Sequence, residues 1–151
     1  MSNYLVIAHQ TAQSYELEEA LKRITDLDSK ADFTLLVPIT YAGFLVMPGE
    51  GDEQRVVARA RRVGREAAAS LNGAGVRVSS ILVGDELPMI ALEEELADHP
   101  EEYQEIIFCT LPAELSRWLR QDQVRQAENR FHIPVRHIIG MPTNMPDPEI
   151  N

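Results

Sequence analysis

The sequence predicts a single α/β domain: one doubly wound, mostly parallel, five-stranded sheet in the order 3-2-1-4-5, flanked by helices. Two observations carry this. Short apolar runs alternate with helix-period segments along all but the end of the 151 residues. The runs are continuously apolar rather than alternating, the habit of strands buried on both faces in parallel sheets. Right-handed βαβ units follow, with a ligand crevice beyond the carboxyl ends of the strands where the winding reverses.

The first strand is expected over Tyr4–Ala8, followed by the polar break His9-Gln10-Thr11-Ala12-Gln13-Ser14. Ser14 is placed to cap a helix over Tyr15–Leu27, with Leu17, Ala20, Leu21 and Ile24 on one face. A second strand spans Phe33–Ile39. Thr40–Glu53, with Gly43, Pro48, Gly49 and Gly51, reads as a long loop. Its apolar core from Phe44 to Met47 suits a lid, a partner contact or local packing equally. A helix from Asp52 to Leu71 is stopped by Asn72-Gly73-Ala74-Gly75. Val76–Val83 is the third strand, Met89–Ala97 a helix, Glu105–Thr110 the fourth strand, Glu114–Phe131 helical, and Pro134–Ile139 the fifth strand. The domain thus covers 1–140, and 141–151 is a proline-rich tail.

Composition sets bounds on function. Apolar residues make up 44% and charged residues 25%, a globular balance. No stretch approaches the roughly 20 apolar residues of a membrane span. The start, Asn3-Tyr4-Leu5-Val6-Ile7-Ala8, has no basic segment before its apolar run and no small-residue cleavage site, so no signal peptide and a cytoplasmic location are expected. The single cysteine, Cys109, in an apolar run, reads as a buried small hydrophobe. The net charge of −10 disfavours nucleic acid and anionic lipid. All but Lys22 and Lys30 of the 14 basic residues are arginine.

The last third, Glu105-Ile106-Ile107-Phe108-Cys109-Thr110, then helix, then Ile133-Pro134-Val135-Arg136-His137-Ile138, resembles the universal stress protein family, within the adenine nucleotide alpha hydrolase-like superfamily. The resemblance implies an adenine nucleotide ligand and, often, a homodimer. ATP-binding members carry a glycine, two residues, a second glycine, nine residues, then Gly followed by Ser or Thr, all after strand four; the glycines let backbone N–H groups approach phosphates. Counting back from Pro134-Val135, the final pair falls on Gln121-Asp122. The earlier glycines fall on Phe108 and Leu111, or near Thr110 and Ala113 with a shorter loop. None is glycine, and Asp122 brings a carboxylate to the phosphate position. The acidic residue that members carry after strand one is replaced by His9-Gln10-Thr11. Ordinary ATP binding is therefore not expected.

Candidate crevice residues are His9, Gln10, Thr11, Val37, Thr110, Ser116, Arg117 and Arg120, with the two arginines able to supply charge that the glycines do not. The competing reading makes Arg117, Arg120, Arg125 and Arg130 the solvated face of the last helix. His9, His99, His132 and His137 are scattered, with no pair at i, i+4 and no carboxylate at metal-ligand spacing, so no metal is expected. No turn of the Gly-x-Ser-x-Gly kind surrounds Ser14, Ser116 or Thr110, and no catalytic residue is assigned. A receiver-type phosphorylation site fails too: Asp85 and Thr110 fit, whereas His9-Gln10 and Gly140-Met141 do not. Glu93-Glu94-Glu95 reads as solvated helix surface. Within 55–65, Val56, Ala60 and Val63 share an inward face, and Arg55, Arg59 and Arg62 lie elsewhere.

The expectation is a non-catalytic, stress-associated binding or regulatory module with a degenerate nucleotide site. The alternative is a small-molecule enzyme or transport-associated domain using His9, Thr110, Ser116 and Arg117. Val135, Ile138 and Ile139 lie on an edge strand that must be paired or covered. Either a homodimer forms through 134–139, or the tail folds back over that edge.

Overall fold

The apolar runs pair side by side in the computed structural model, which describes residues 2–40, 50–112 and 123–141. Strands β1 (Ser2–Ile7), β2 (Ala31–Pro38), β3 (Val78–Gly84), β4 (Glu105–Thr110) and β5 (Val135–Ile139) form one sheet in the order β3-β2-β1-β4-β5. Every pairing is parallel. The helices are α1 (Tyr15–Leu27), α2 (Glu50–Gly73), α3 (Pro88–Asp98) and α4 (Gln123–Phe131), with a short 3-10 turn at Gln10–Gln13.

Two apolar layers explain the unbroken strand runs. Tyr4, Val6, Phe33, Leu35, Val37, Ile107 and Cys109 point to the face covered by α1 and α2. Leu5, Ile7, Leu36, Ile106 and Phe108 point to the other, where Ala91 and Leu92 of α3 and Phe131 of α4 pack. Tyr4 and Phe33 stack with centroids 5.2 Å apart across β1 and β2. Ser14 caps α1 as its sequence position predicts, its Oγ accepting from Leu17 N at 3.3 Å. On α2, Val56 and Ala60 are buried, Val63 packs against the core and Arg55 and Arg62 are exposed, as the helical spacing requires.

Some boundaries move for physical reasons. Helix α2 begins at Glu50, inside the stretch expected to be loop; Gly51 then falls in the first turn, where a glycine costs a helix less than in its interior. At its other end Gly75 takes φ +92°, and Asn72 holds the start of β3 by bonding both Val78 N (3.1 Å) and Val78 O (3.3 Å). Residues 76 and 77 are used up in that connection. The suggested lid, 41–49, the first part of the last helical region, 113–122, and the tail from 142 onward lie outside the described residues. Among those described, no helix is long and apolar enough to cross a membrane.

Candidate functional site at the ends of β1 and β4

Neighbouring strands β1 and β4 lead to helices on opposite faces, so their carboxyl ends mark the reversal of winding. Ala8 N extends the β1–β2 ladder to Leu36 O (3.2 Å), and the chain then turns sharply: Ala12 N donates to His9 O at 3.1 Å and Ser14 N to Thr11 O at 3.0 Å. Thr11 Oγ1 donates to Cys109 O at 3.1 Å, which fastens this turn to the end of β4. The stretch that reads as a polar break is therefore largely interior, with His9, Thr11 and Ala12 buried.

The same end of the sheet is closed by the exit of β5. Thr110 Oγ1 lies 2.8 Å from His137 Nε2, and Gly140 N donates to Thr110 O at 2.8 Å. Gly140 sits so close to α1 that a Cβ there would stand 2.5 Å from Ser14 Oγ and 3.4 Å from Cys109 Sγ. Met141 N donates to Glu16 Oε1 at 3.0 Å. Burial pushes the Cys109 thiol up to about 11, so it stays protonated at neutral pH.

His9 is only 3% exposed, and neither ring nitrogen has a hydrogen-bond partner among the described residues; nor has the buried Oε1 of the next residue, Gln10. Burial first, then the Arg59 guanidinium, lowers the His9 pKa to about 4. At neutral pH its ring thus offers one donor and one acceptor without charge. After β4, Leu111 is fully buried, and the next residue, Pro112, has no N–H.

Of the candidate residues, the structure gathers His9, Gln10, Thr11 and Thr110 at this edge. Val37 is fully buried in the layer beneath α1 and α2. Ser116, Arg117 and Arg120 lie outside the described residues. One reading is corrected. Glu95 is not solvated surface: it is 9% exposed, accepts from Tyr103 Oη at 2.6 Å and lies 3.0 Å from His99 Nδ1. It stands one turn beyond the buried Ala91 and Leu92 on α3, a spacing that a run of three glutamates conceals. His99 and Glu95 are also an i, i+4 pair that the scattered-histidine reading passed over. No group of metal-ligating side chains occurs among the described residues.

No protein-family model matches the sequence, and no curated protein matches it significantly. Solved structures do match. A universal stress protein family member from Burkholderia pseudomallei superposes with a TM-score of 0.58 at 17% identity, over 94% of this chain and 96% of that one. The universal stress protein UspA from Lactobacillus plantarum gives 0.57 at 14%, over 91% and 97%. A universal stress protein family protein from Arabidopsis thaliana with AMP bound gives 0.50 at 13%, over the whole of both chains. At such identities the likeness is one of architecture, and the chain is built on the α/β fold of the universal stress proteins.

Proposed function

We propose that the chain is a divergent, universal-stress-protein-like binding module of the cytoplasm that performs no reaction, with a nucleotide site that has lost its phosphate cradle. The observation that carries this is His9: buried, uncharged and, like the adjoining Gln10 Oε1, without a hydrogen-bond partner among the described residues at the reversal of winding. Such groups are costly unless something hydrogen-bonds to them. One His9 ring nitrogen and the Gln10 Oε1 acceptor on successive residues, both without charge, suit the uncharged edge of a base. The AMP in the Arabidopsis protein supports an adenine group as that base. Pro112, and Gln121-Asp122 where a Gly-Ser or Gly-Thr pair would stand, argue against a polyphosphate. In a thermal-shift and calorimetric series, adenosine is expected to stabilise the protein, by about 2.7 kcal/mol at 100 times its dissociation constant. The gain should vanish in His9→Leu, and ATP at millimolar concentration should give none. Saturable ATP binding tighter than adenosine, or no response to adenosine, overturns the reading.

The β5 edge supports a homodimer. Ile139 is 52% exposed and Met141, just beyond it, 47%. Two β5 strands meeting antiparallel across a two-fold axis would satisfy both open edges at once. Light scattering at tens of micromolar should give twice the chain mass. A monomer unaffected by deletion after Gly140 refutes the dimer, and dimerisation appearing only on deletion identifies the tail as the cover.

A further inference from the structure

One arginine of α2 does not follow its neighbours. The helix carries arginines at 55, 59, 61, 62 and 65, and Arg55, Arg61, Arg62 and Arg65 are exposed, as expected of side chains away from the Val56, Ala60 and Val63 stripe. Arg59 is half-buried. It lies three residues after Val56 and four before Val63, so it flanks that stripe. The next residue, Ala60, is fully buried in the same cluster as Ala8 and Ala12, the residues that bracket His9, Gln10 and Thr11. Helix α2 therefore meets the turn after β1 at Arg59, and the guanidinium acts on the His9 ring, adding to the effect of burial.

Two unlike features thus meet at one place. His9 is 3% exposed, and both its ring nitrogens and Gln10 Oε1 have no hydrogen-bond partner among the described residues. Such atoms ask for an uncharged, hydrogen-bonding ligand edge. Arg59 is a fixed cation with five N–H donors in a planar fork, the geometry that matches a phosphate or carboxylate. Drawing a guanidinium partly out of water is costly, so its place beside an already unfavourable histidine calls for a reason. In a chain of net charge −10, a local cation is also what would admit an anion at all.

We propose that Arg59 is a specificity residue of this crevice: it takes the single anionic group of a ligand whose uncharged ring lies on His9 and Gln10. This rests on the reading of the crevice as a base site and adds the charge that the ligand carries, one phosphate. The anion then sits at α2 rather than after β4, where Pro112 offers no backbone N–H. One guanidinium matches one phosphate. A triphosphate would need the run of backbone N–H groups that the chain lacks there.

The test is calorimetry of the full chain with AMP and with adenosine, which differ by one phosphate. Salt of about 0.15 M screens the general field of the acidic surface. AMP is expected to bind at least about tenfold more tightly than adenosine. The ratio of the two affinities is the readout, because a general loss of folded protein weakens both ligands alike. In Arg59→Gln the ratio should fall to near one. Arg59→Lys keeps the charge and loses the fork, so its ratio should lie between, and it decides the matter should Arg59→Gln fail to fold. Arg62→Gln, which removes an exposed arginine from the same helix, should leave the ratio as it was. Adenosine binding as tightly as AMP overturns the role of Arg59 and leaves the base site standing. An equal fall of the ratio in Arg59→Gln and Arg62→Gln overturns it too, since general charge would then be the cause. No binding of either ligand overturns the base site and this proposal together.

Discussion

Between pH 6.5 and pH 4 the folded chain will lose roughly 3 kcal/mol of stability through His9 alone. In the unfolded chain the ring titrates near its ordinary 6.5; in the folded chain burial, and then Arg59, hold it down to about 4. In that window the unfolded state binds a proton that the folded state refuses. The stability is therefore fully present above pH 6.5, drains away as the pH falls, and is gone below about 4. Burial lowers His137 as well, which adds a loss of the same sign. Urea titrations at pH 7 and pH 4.5 measure the loss directly, and His9→Leu should flatten most of it. At pH 7 the same variant should cost little or even stabilise, because it removes two buried nitrogens that have no partners among the described residues. An acid loss of full size in His9→Leu would show that the proton is taken up elsewhere.

Gly64→Leu is expected to destabilise the fold by about 3 kcal/mol. Glycine inside a helix normally costs up to about 1 kcal/mol relative to alanine, so its presence in α2 needs a cause. The cause is the approach of α2 to the sheet. A Cβ at Gly64 would collide with Ile81 Cγ2 and stand 3.3 Å from Val37 Cγ2. Both are branched side chains with little rotamer freedom. Gly73, in the last turn of the same helix, has nothing within 4 Å of its would-be Cβ. Gly73→Ala should therefore leave stability unchanged or raise it by a few tenths of a kcal/mol. Chemical denaturation of the two variants side by side separates crowding from helix propensity. Equal stabilities would mean that α2 can retreat from β3 without loss.

The architecture was legible because its physical cause is local. A strand buried on both faces reads as a continuous apolar run, and Ile106–Cys109 marks out β4 for that reason. Ser14 announced the start of α1 because a cap is a matter of one side chain and a backbone N–H three residues on. The site was less legible. Thr11 and Thr110 are polar in the sequence, yet each spends its hydroxyl on an internal contact, with Cys109 O and His137, whose positions depend on strands 98 and 27 residues away. Glu95 was misread because its neighbours Glu93 and Glu94 set the average character of the run, whereas burial is decided one residue at a time around the helix. The role of Gly64 was invisible, since periodicity says which face of a helix points inward but not how near it lies.

The closure at Gly140 bears on how the chain folds. Contacts that close over the start of α1, Gly140 against Ser14 and Met141 N to Glu16, join residues about 125 positions apart. The central strand likewise has β4 as one neighbour, paired from Tyr4 and Glu105 to Ile7 and Phe108. A ribosome must therefore deliver residues 140 and 141 before helix α1 meets the residues that lock its start. Such distant pairings raise the contact order and slow the search for the native arrangement. During synthesis the early strands would wait with an open side, a period in which assistance from a chaperone has most to offer.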